Sequence, residues 1–195
     1  DQGEGLRTSQ SGLEGTMGPD SAEDGQAMYT SAKREYVMSP GQNSMRVDLT
    51  WRSKSGVTVV KHLLFKRDSY AIAQSYTVSN KGKQVWVGRP YSQFKMREQP
   101  SGGGMMGMRT FVGPAISSPA KKYQKLSFSD LSKQNLNQDI TGGWLAAQEH
   151  YFVSAWVPPV NKAFNYYSFV DANQFYTLGL VGERFQVAPG KQVAT

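Results

Sequence analysis

Glu149 and His150, with His62 as a second imidazole, are the residues of this chain best suited to moving a proton, because a carboxylate base opposite a histidine acid is the pairing that sugar-processing sites use. The spacing argues against that use. Consecutive residues on a strand point to opposite faces, so Glu149 and His150 converge on one substrate only across a bulge. His62 lies among Leu63, Leu64 and Phe65, where a histidine is ordinarily structural. No Gly-x-Ser-x-Gly elbow is present, and neither histidine has an identifiable acidic partner in the sequence. With no cysteine and two histidines, disulfides, thiolate chemistry and a histidine-rich metal site are excluded. No catalytic, cofactor-binding or metal-ligating residue is assigned, and the chain is not read as an enzyme. Binding or scaffolding is what these residue types leave.

The glycine-rich stretch Ser101-Gly102-Gly103-Gly104-Met105-Met106-Gly107-Met108 raises the question of phosphate binding. The Lys-Ser/Thr that follows a phosphate loop is missing, as is the GxGxxG spacing after a strand, so a mobile loop is expected there. The formal net charge of +7 invites a polyanion partner. The basic doublets Lys33-Arg34, Lys66-Arg67 and Lys121-Lys122 are scattered at turns, which points to solvated turn charges and not to nucleic acid.

The elements that must position these residues read as strands. The densest apolar stretch, 141–159, is opened by Gly142-Gly143 and closed by Pro158-Pro159, with Trp144, Tyr151, Phe152 and Trp156 between. Burying such rings contributes roughly 1.5–3 kcal/mol each, so the stretch is expected to be core. A helical reading puts Leu145, Glu149, Phe152 and Trp156 on one stripe, and periodicity alone does not separate helix from strand. The aromatic and β-branched content favours two short buried strands, 144–147 and 150–157.

Elsewhere residues 44–51 alternate cleanly, with Met45, Val47, Leu49 and Trp51 on one face, and 57–65 resume after a turn at 52–56, which makes a hairpin. Residues 70–78 alternate large with small, the small face leaving room for close packing. Residues 84–87 lead on to Pro90, which limits the continuation through Phe94 and Met96 to an edge or bulged strand and completes a four-strand meander. Residues 1–26 read as loop, 29–37 as a possible short strand, 110–115 as a strand broken by Gly113-Pro114, and 121–125 as a basic edge-like segment. Residues 129–133 suit one helical turn and 135–140 a loop. Strands at 165–170, 174–181 and 184–187 complete an all-β pattern with at most one or two short helical turns. The expected organisation is a single domain fragment over 1–195, loop-rich at 1–26, with a β-sandwich core at 27–190.

The segments Phe111-Val112-Gly113-Pro114-Ala115, Lys122-Tyr123-Gln124-Lys125 and Gly142-Gly143-Trp144, with Tyr151-Phe152 and Ala155-Trp156-Val157-Pro158, carry a resemblance. So do Leu64-Phe65-Lys66-Arg67-Asp68-Ser69-Tyr70 and Gln10-Ser11-Gly12-Leu13. In their order and spacing the chain resembles the large periplasmic domain of the YidC family of bacterial membrane protein insertases. That resemblance implies a β-supersandwich similar to galactose mutarotase, on the periplasmic face of the inner membrane. It implies that this fragment lacks the domain's first strands, its C-terminal linker and the transmembrane helices. It also implies a non-catalytic role beside the Sec translocon, docking the accessory subunits SecD and SecF or segments of nascent membrane proteins. Edge logic places such contacts at Trp86, Tyr91, Phe94 and Phe111. The mutarotase likeness suggests the alternative of a carbohydrate-binding cleft, although a mutarotase's histidines and glutamate have no full set of counterparts here. The positive charge is compatible with that location, since long extracytoplasmic domains translocate largely regardless of charge.

Overall fold

The structure is a computed structural model that describes residues 7–15, 17–20, 27–98 and 111–195. The glycine and methionine loop at 101–108 lies outside the described residues. In chain order the elements are β1 (Arg7–Gly15), β2 (Thr30–Ser31), β3 (Ser44–Arg52), β4 (Val57–Lys66), β5 (Ile72–Asn80), β6 (Trp86–Arg97), β7 (Gly113–Ser117), β8 (Gln124–Lys125), α1 (Phe128–Lys133), β9 (Asn137–Thr141), β10 (Trp144–Gln148), β11 (Val153–Trp156), β12 (Ala163–Val170), β13 (Phe175–Val181), β14 (Phe185–Val187) and β15 (Gln192–Ala194). The all-β expectation holds, and the described residues contain one helix of six residues. Two compact units divide the chain. The first comprises Asp1–Gly12 and Pro90–Glu183, the second Leu13–Arg89 and Arg184–Thr195.

In the second unit the hairpin expected from residues 44–65 is present, and β5 extends it into a sheet of order β15-β5-β4-β3-β2. The register sets Trp51 opposite Val59 and Val59 opposite Val78, so one pleat face gathers the large residues of three strands. Val57, Val59, Tyr76 and Val78 are buried there with Leu13, Trp86 and Val187. Tyr76 and Val78 of β5 go to the core while Ile72 is 54% exposed, and Ala73 and Ser75 are exposed, the reverse of the close packing expected for the small face. The fourth strand of the expected meander belongs elsewhere: Trp86, Val87 and Gly88 of β6 pair with β14. Alternation marks a strand without naming its partner. Of residues 29–37 only Thr30 and Ser31 form a strand.

In the first unit β13 pairs with β6 and β12, and β9 adds to the far side of β12. A second sheet runs β11-β10-β7-β8. Their inward side chains form one cluster that includes Phe94, Met96, Ile116, Leu145, Tyr166, Tyr176 and Leu178. The helix α1 contributes Phe128 and Leu131 to it. Ser127 caps that helix by accepting from the Asp130 N–H at 3.0 Å.

Four further expectations need correction. Residues 7–15, read as loop, form β1, a strand neighbouring β6 whose one fully buried large apolar residue is Leu13. Its other side chains are too polar for alternation to register. Residues 135–140, also read as loop, contain most of β9 (Asn137–Thr141), where only Ile140 is buried. An edge strand of this kind shows one apolar residue in five. Pro90 does not make β6 an edge, because β6 has β1 and β13 as neighbours. The ring falls between Gly88, the first residue paired with β14, and Tyr91, the last paired with β13, where a missing N–H costs no ladder bond; its carbonyl accepts from Gly182 N–H at 2.8 Å. Gly113-Pro114 opens β7 and does not break it, with the Pro114 carbonyl accepting from Leu126 N–H at 2.9 Å.

Candidate functional site

The aromatic stretch divides into two strands joined at 149–152, in agreement with the strand reading. Gly142 and Gly143 take φ of +79° and +85°, a left-handed turn that L side chains resist, and they deliver Trp144 into β10. β10 lies between β7 and β11, and its Leu145, Ala146 and Ala147 are buried. The second half is not core. Tyr151, Phe152 and Val153 are 92%, 73% and 64% exposed, and Val153, Ser154 and Ala155 of β11 are all exposed.

The turn is closed by the Glu149 N–H, which donates to the Phe152 carbonyl at 2.8 Å. Antiparallel pairs alternate between bonded and non-bonded, so Val153 and Ala155 direct their backbone groups away from β10. β11 is the end strand of its sheet. It is short, carries no lysine, and its flanking residues are large and apolar. Natural edges are usually protected by charge, proline or a bulge; Pro158-Pro159 end this one two residues beyond Trp156, and within Val153–Trp156 it carries none of these and can take an added strand.

Beside it lies a cavity of about 100 Å³ lined by Arg7, Phe94, Met96, Ala147, Phe152 and Ser154 among others. Small-molecule sites run to about 300–1,000 Å³, so this hollow suits a single side chain better than a whole sugar. Glu149 at its rim pairs with Arg7 at 3.1 Å, and the same guanidinium donates to the Gln148 carbonyl at 3.3 Å. The carboxylate offered above as a base is held by this ion pair, while His150 lies in the exposed turn.

His62 belongs to the second unit and does have an acidic partner, contrary to the sequence reading. Asp48 stands directly across from it in register on β3, and Asp48 Oδ1 is 2.7 Å from His62 Nδ1. His62 Nε2 is 2.8 Å from Thr77 Oγ1 on β5. Fourteen residues separate Asp48 from His62 in sequence, and only the hairpin register reveals the pair. This relay ties three strands together.

The residues expected to face a partner fall into two groups. Trp86 is fully buried in the second unit, its indole N–H donating to the Met17 carbonyl at 3.3 Å, and Phe94 is 5% exposed in the first-unit core. Both are inward residues, because a proline near a strand does not make that strand an edge. Tyr91 and Phe111 are partly exposed, with the Lys125 ammonium 5.0 Å from the Phe111 ring centroid. The exposed run at Tyr151, Phe152 and Val153 was missed. Its signal was available: three consecutive large residues cannot all face inward on one strand.

Antiparallel sheets with one short helix define a β-sandwich type of protein, and among the described residues no group of three or more His, Cys, Asp or Glu side chains is placed to hold a metal. The chain belongs to the YidC periplasmic domain family, which matches residues 1–195. It is 36% identical to the membrane protein insertase YidC of Pseudomonas syringae pv. tomato over 195 residues, 99% of this chain and 34% of that protein. It is 39% identical to the membrane protein insertase YidC of Shewanella pealeana over 183 residues, 94% of this chain and 33% of that protein. The chain thus spans about a third of the length of these curated relatives. Among the described residues no helix is long and apolar enough to cross a membrane.

Proposed function

We propose that this chain is a non-catalytic interaction domain on the periplasmic face of the bacterial inner membrane, part of a membrane protein insertase. In this reading it docks an extended segment of a Sec accessory subunit, SecD or SecF, or of a nascent membrane protein. The observation that carries the docking mode is the unprotected β11 edge, flanked by exposed Tyr151, Phe152 and Val153. An added strand gains main-chain hydrogen bonds, and the neighbouring 100 Å³ hollow receives one of its side chains. Family membership supports the setting, since the relatives carry the name of a membrane protein insertase. At β11 the size of the hollow favours a protein segment over the carbohydrate alternative.

Purified SecDF is the direct probe. The 195-residue chain is expected to bind it, and the double variant Tyr151→Ser, Phe152→Ser to bind at least about tenfold more weakly while melting at the parental temperature, since hot-spot aromatics at interfaces cost 2 kcal/mol or more when removed. Equal binding by parent and variant sinks the β11 site. No binding by either sinks the partner. A saccharide array that retains the chain supports the carbohydrate reading instead.

A further inference from the structure

The net charge is not spread evenly. Thirteen lysines and arginines against seven acids give the second unit a balance of +6, whereas nine against eight leave the first at +1. Within the second unit, three turns distant in sequence meet: residues 52–56, 80–84 and 188–191. The Lys81 N–H donates to the Gly56 carbonyl at 2.9 Å, Asn80 N–H to the Lys191 carbonyl at 2.9 Å, and Gly190 N–H to the Asn80 carbonyl at 2.7 Å. A Cβ built on Gly82 would come within 2.4 Å of the Ser55 carbonyl, so the first two turns are in backbone contact.

These turns carry Arg52, Lys54, Lys81, Lys83 and Lys191, all exposed, and contain no Asp or Glu. None of the five forms an ion pair among the described residues. The other basic positions of this unit are partly answered: Arg46 pairs with Asp48, Arg89 with Glu14, and Arg67 donates to the Ser39 and Gln42 carbonyls. Between the first two turns lies an open hollow of about 470 Å³ that Met17, Ser55, Val57, Lys81 and Lys83 help to line, and Val85, next in the chain to its Gln84, is 47% exposed. Cations around a partly apolar floor match the two layers of a lipid headgroup region, phosphate above and acyl carbon below.

The scaffold beneath is rigid. Asn80, 1% exposed, donates from Nδ2 to the Gln84 carbonyl at 2.7 Å and the Val187 carbonyl at 2.8 Å, and its Oδ1 accepts from Gly82 N–H at 2.9 Å. The backbone positions from which the cations project are therefore set before any partner arrives, which leaves only the lysine side chains to be ordered on binding.

We infer that this three-turn end of the second unit is a docking surface for an anionic phospholipid bilayer, with Lys54, Lys81, Lys83 and Lys191 contacting headgroup phosphates. The cluster stands on its own geometry; the choice of lipid over other polyanions rests on the membrane-insertase reading. Each lysine near an anionic surface is worth about fivefold in affinity.

Co-sedimentation of the 195-residue chain with phosphatidylglycerol-containing vesicles tests it, with pure phosphatidylcholine vesicles as the uncharged comparison. Binding to the anionic vesicles alone is expected, falling as salt rises. The variant Lys54→Gln, Lys81→Gln, Lys83→Gln, Lys191→Gln is expected to lose more than about a hundredfold. A charge-matched variant, Lys33→Gln, Arg34→Gln, Lys121→Gln, Lys122→Gln, is expected to stay within about twofold of the parent. Equal losses in the two variants overturn the surface in favour of net charge alone. Retention on heparin without vesicle binding overturns the lipid assignment. SecDF binding measured on the same variants separates the proposals, because the lysine substitutions leave β11 untouched.

Discussion

His62 and Asp48 face each other across the β3–β4 ladder, with imidazole Nδ1 2.7 Å from the carboxylate. A carboxylate at Nδ1 places a ring proton on that nitrogen, and in the neutral ring Nε2 then accepts from the Thr77 hydroxyl. The hydrogen bond from His62 holds the Asp48 carboxyl below its ordinary value of 3.8, against an opposing contribution from burial and with Arg46 adding to the lowering. A carboxyl lowered on folding contributes stability above its unfolded pKa, and that contribution is lost as pH falls through the folded value.

Asp48→Asn is therefore expected to destabilise the chain at pH 7 by about 0.2–1 kcal/mol, the range for a partly exposed pair. The difference from the parent shrinks below pH 3.8 as the carboxylate protonates. Urea unfolding of both proteins at neutral and acid pH reads it directly. A constant difference across that range contradicts the assignment.

Trp86 separates a packing role from a docking role. It is fully buried beside Phe185, ring centroids 5.4 Å apart. Trp86→Ala is expected to cost about 3–5 kcal/mol of stability. Chemical denaturation would show this as a large drop in midpoint. A variant that unfolds like the parent yet binds partners poorly contradicts the burial argument.

Asn80→Ala leaves the buried Val187 carbonyl and the part-buried Gln84 carbonyl without their donor. The expected loss is about 2–4 kcal/mol, because unmet buried acceptors each cost about 1–3 kcal/mol. Hydrogen exchange should rise at the Gly82 amide, which loses its acceptor, before it rises in β4.

Two left-handed glycines offer a contrast in which backbone strain is shared and sterics differ. A Cβ on Gly143 would sit 2.0 Å from the Ser117 carbonyl, whereas one on Gly41 meets nothing within 4 Å. Gly41→Ala is expected to cost about 1–2 kcal/mol, the price of the left-handed conformation alone. Gly143→Ala adds displacement of β7 and should exceed that by at least about 1–3 kcal/mol, as overpacked cores do. Thermal melting of the pair gives the ranking.

Strand identity was legible wherever alternation had large apolar residues to work with. β3, β4 and β5 read out within one or two residues of their ends because Val47, Leu49, Val57 and Val59 mark one face. β1 and β9 were illegible for the opposite reason: each buries one large apolar residue amid polar ones, and pairing rather than composition makes them strands. At the candidate site, the break at Gln148-Glu149 correctly signalled two strands. That Tyr151, Phe152 and Val153 could not all be inward was legible in their adjacency, but that β11 lies at the end of its sheet is encoded in no local pattern. The basic turns show the same limit, since Lys54, Lys81 and Lys191 are brought together only by ladder register.

The way β15 closes the five-stranded sheet bears on when this chain can acquire its structure. Val193 pairs with Val78, and Val187 completes a core otherwise drawn from residues before Arg89. A ribosome delivers the N-terminal side first, so the second unit waits, its valine-rich hairpin uncovered, until the whole first unit has been synthesised. Such long-range closure slows folding and lengthens exposure of apolar strands.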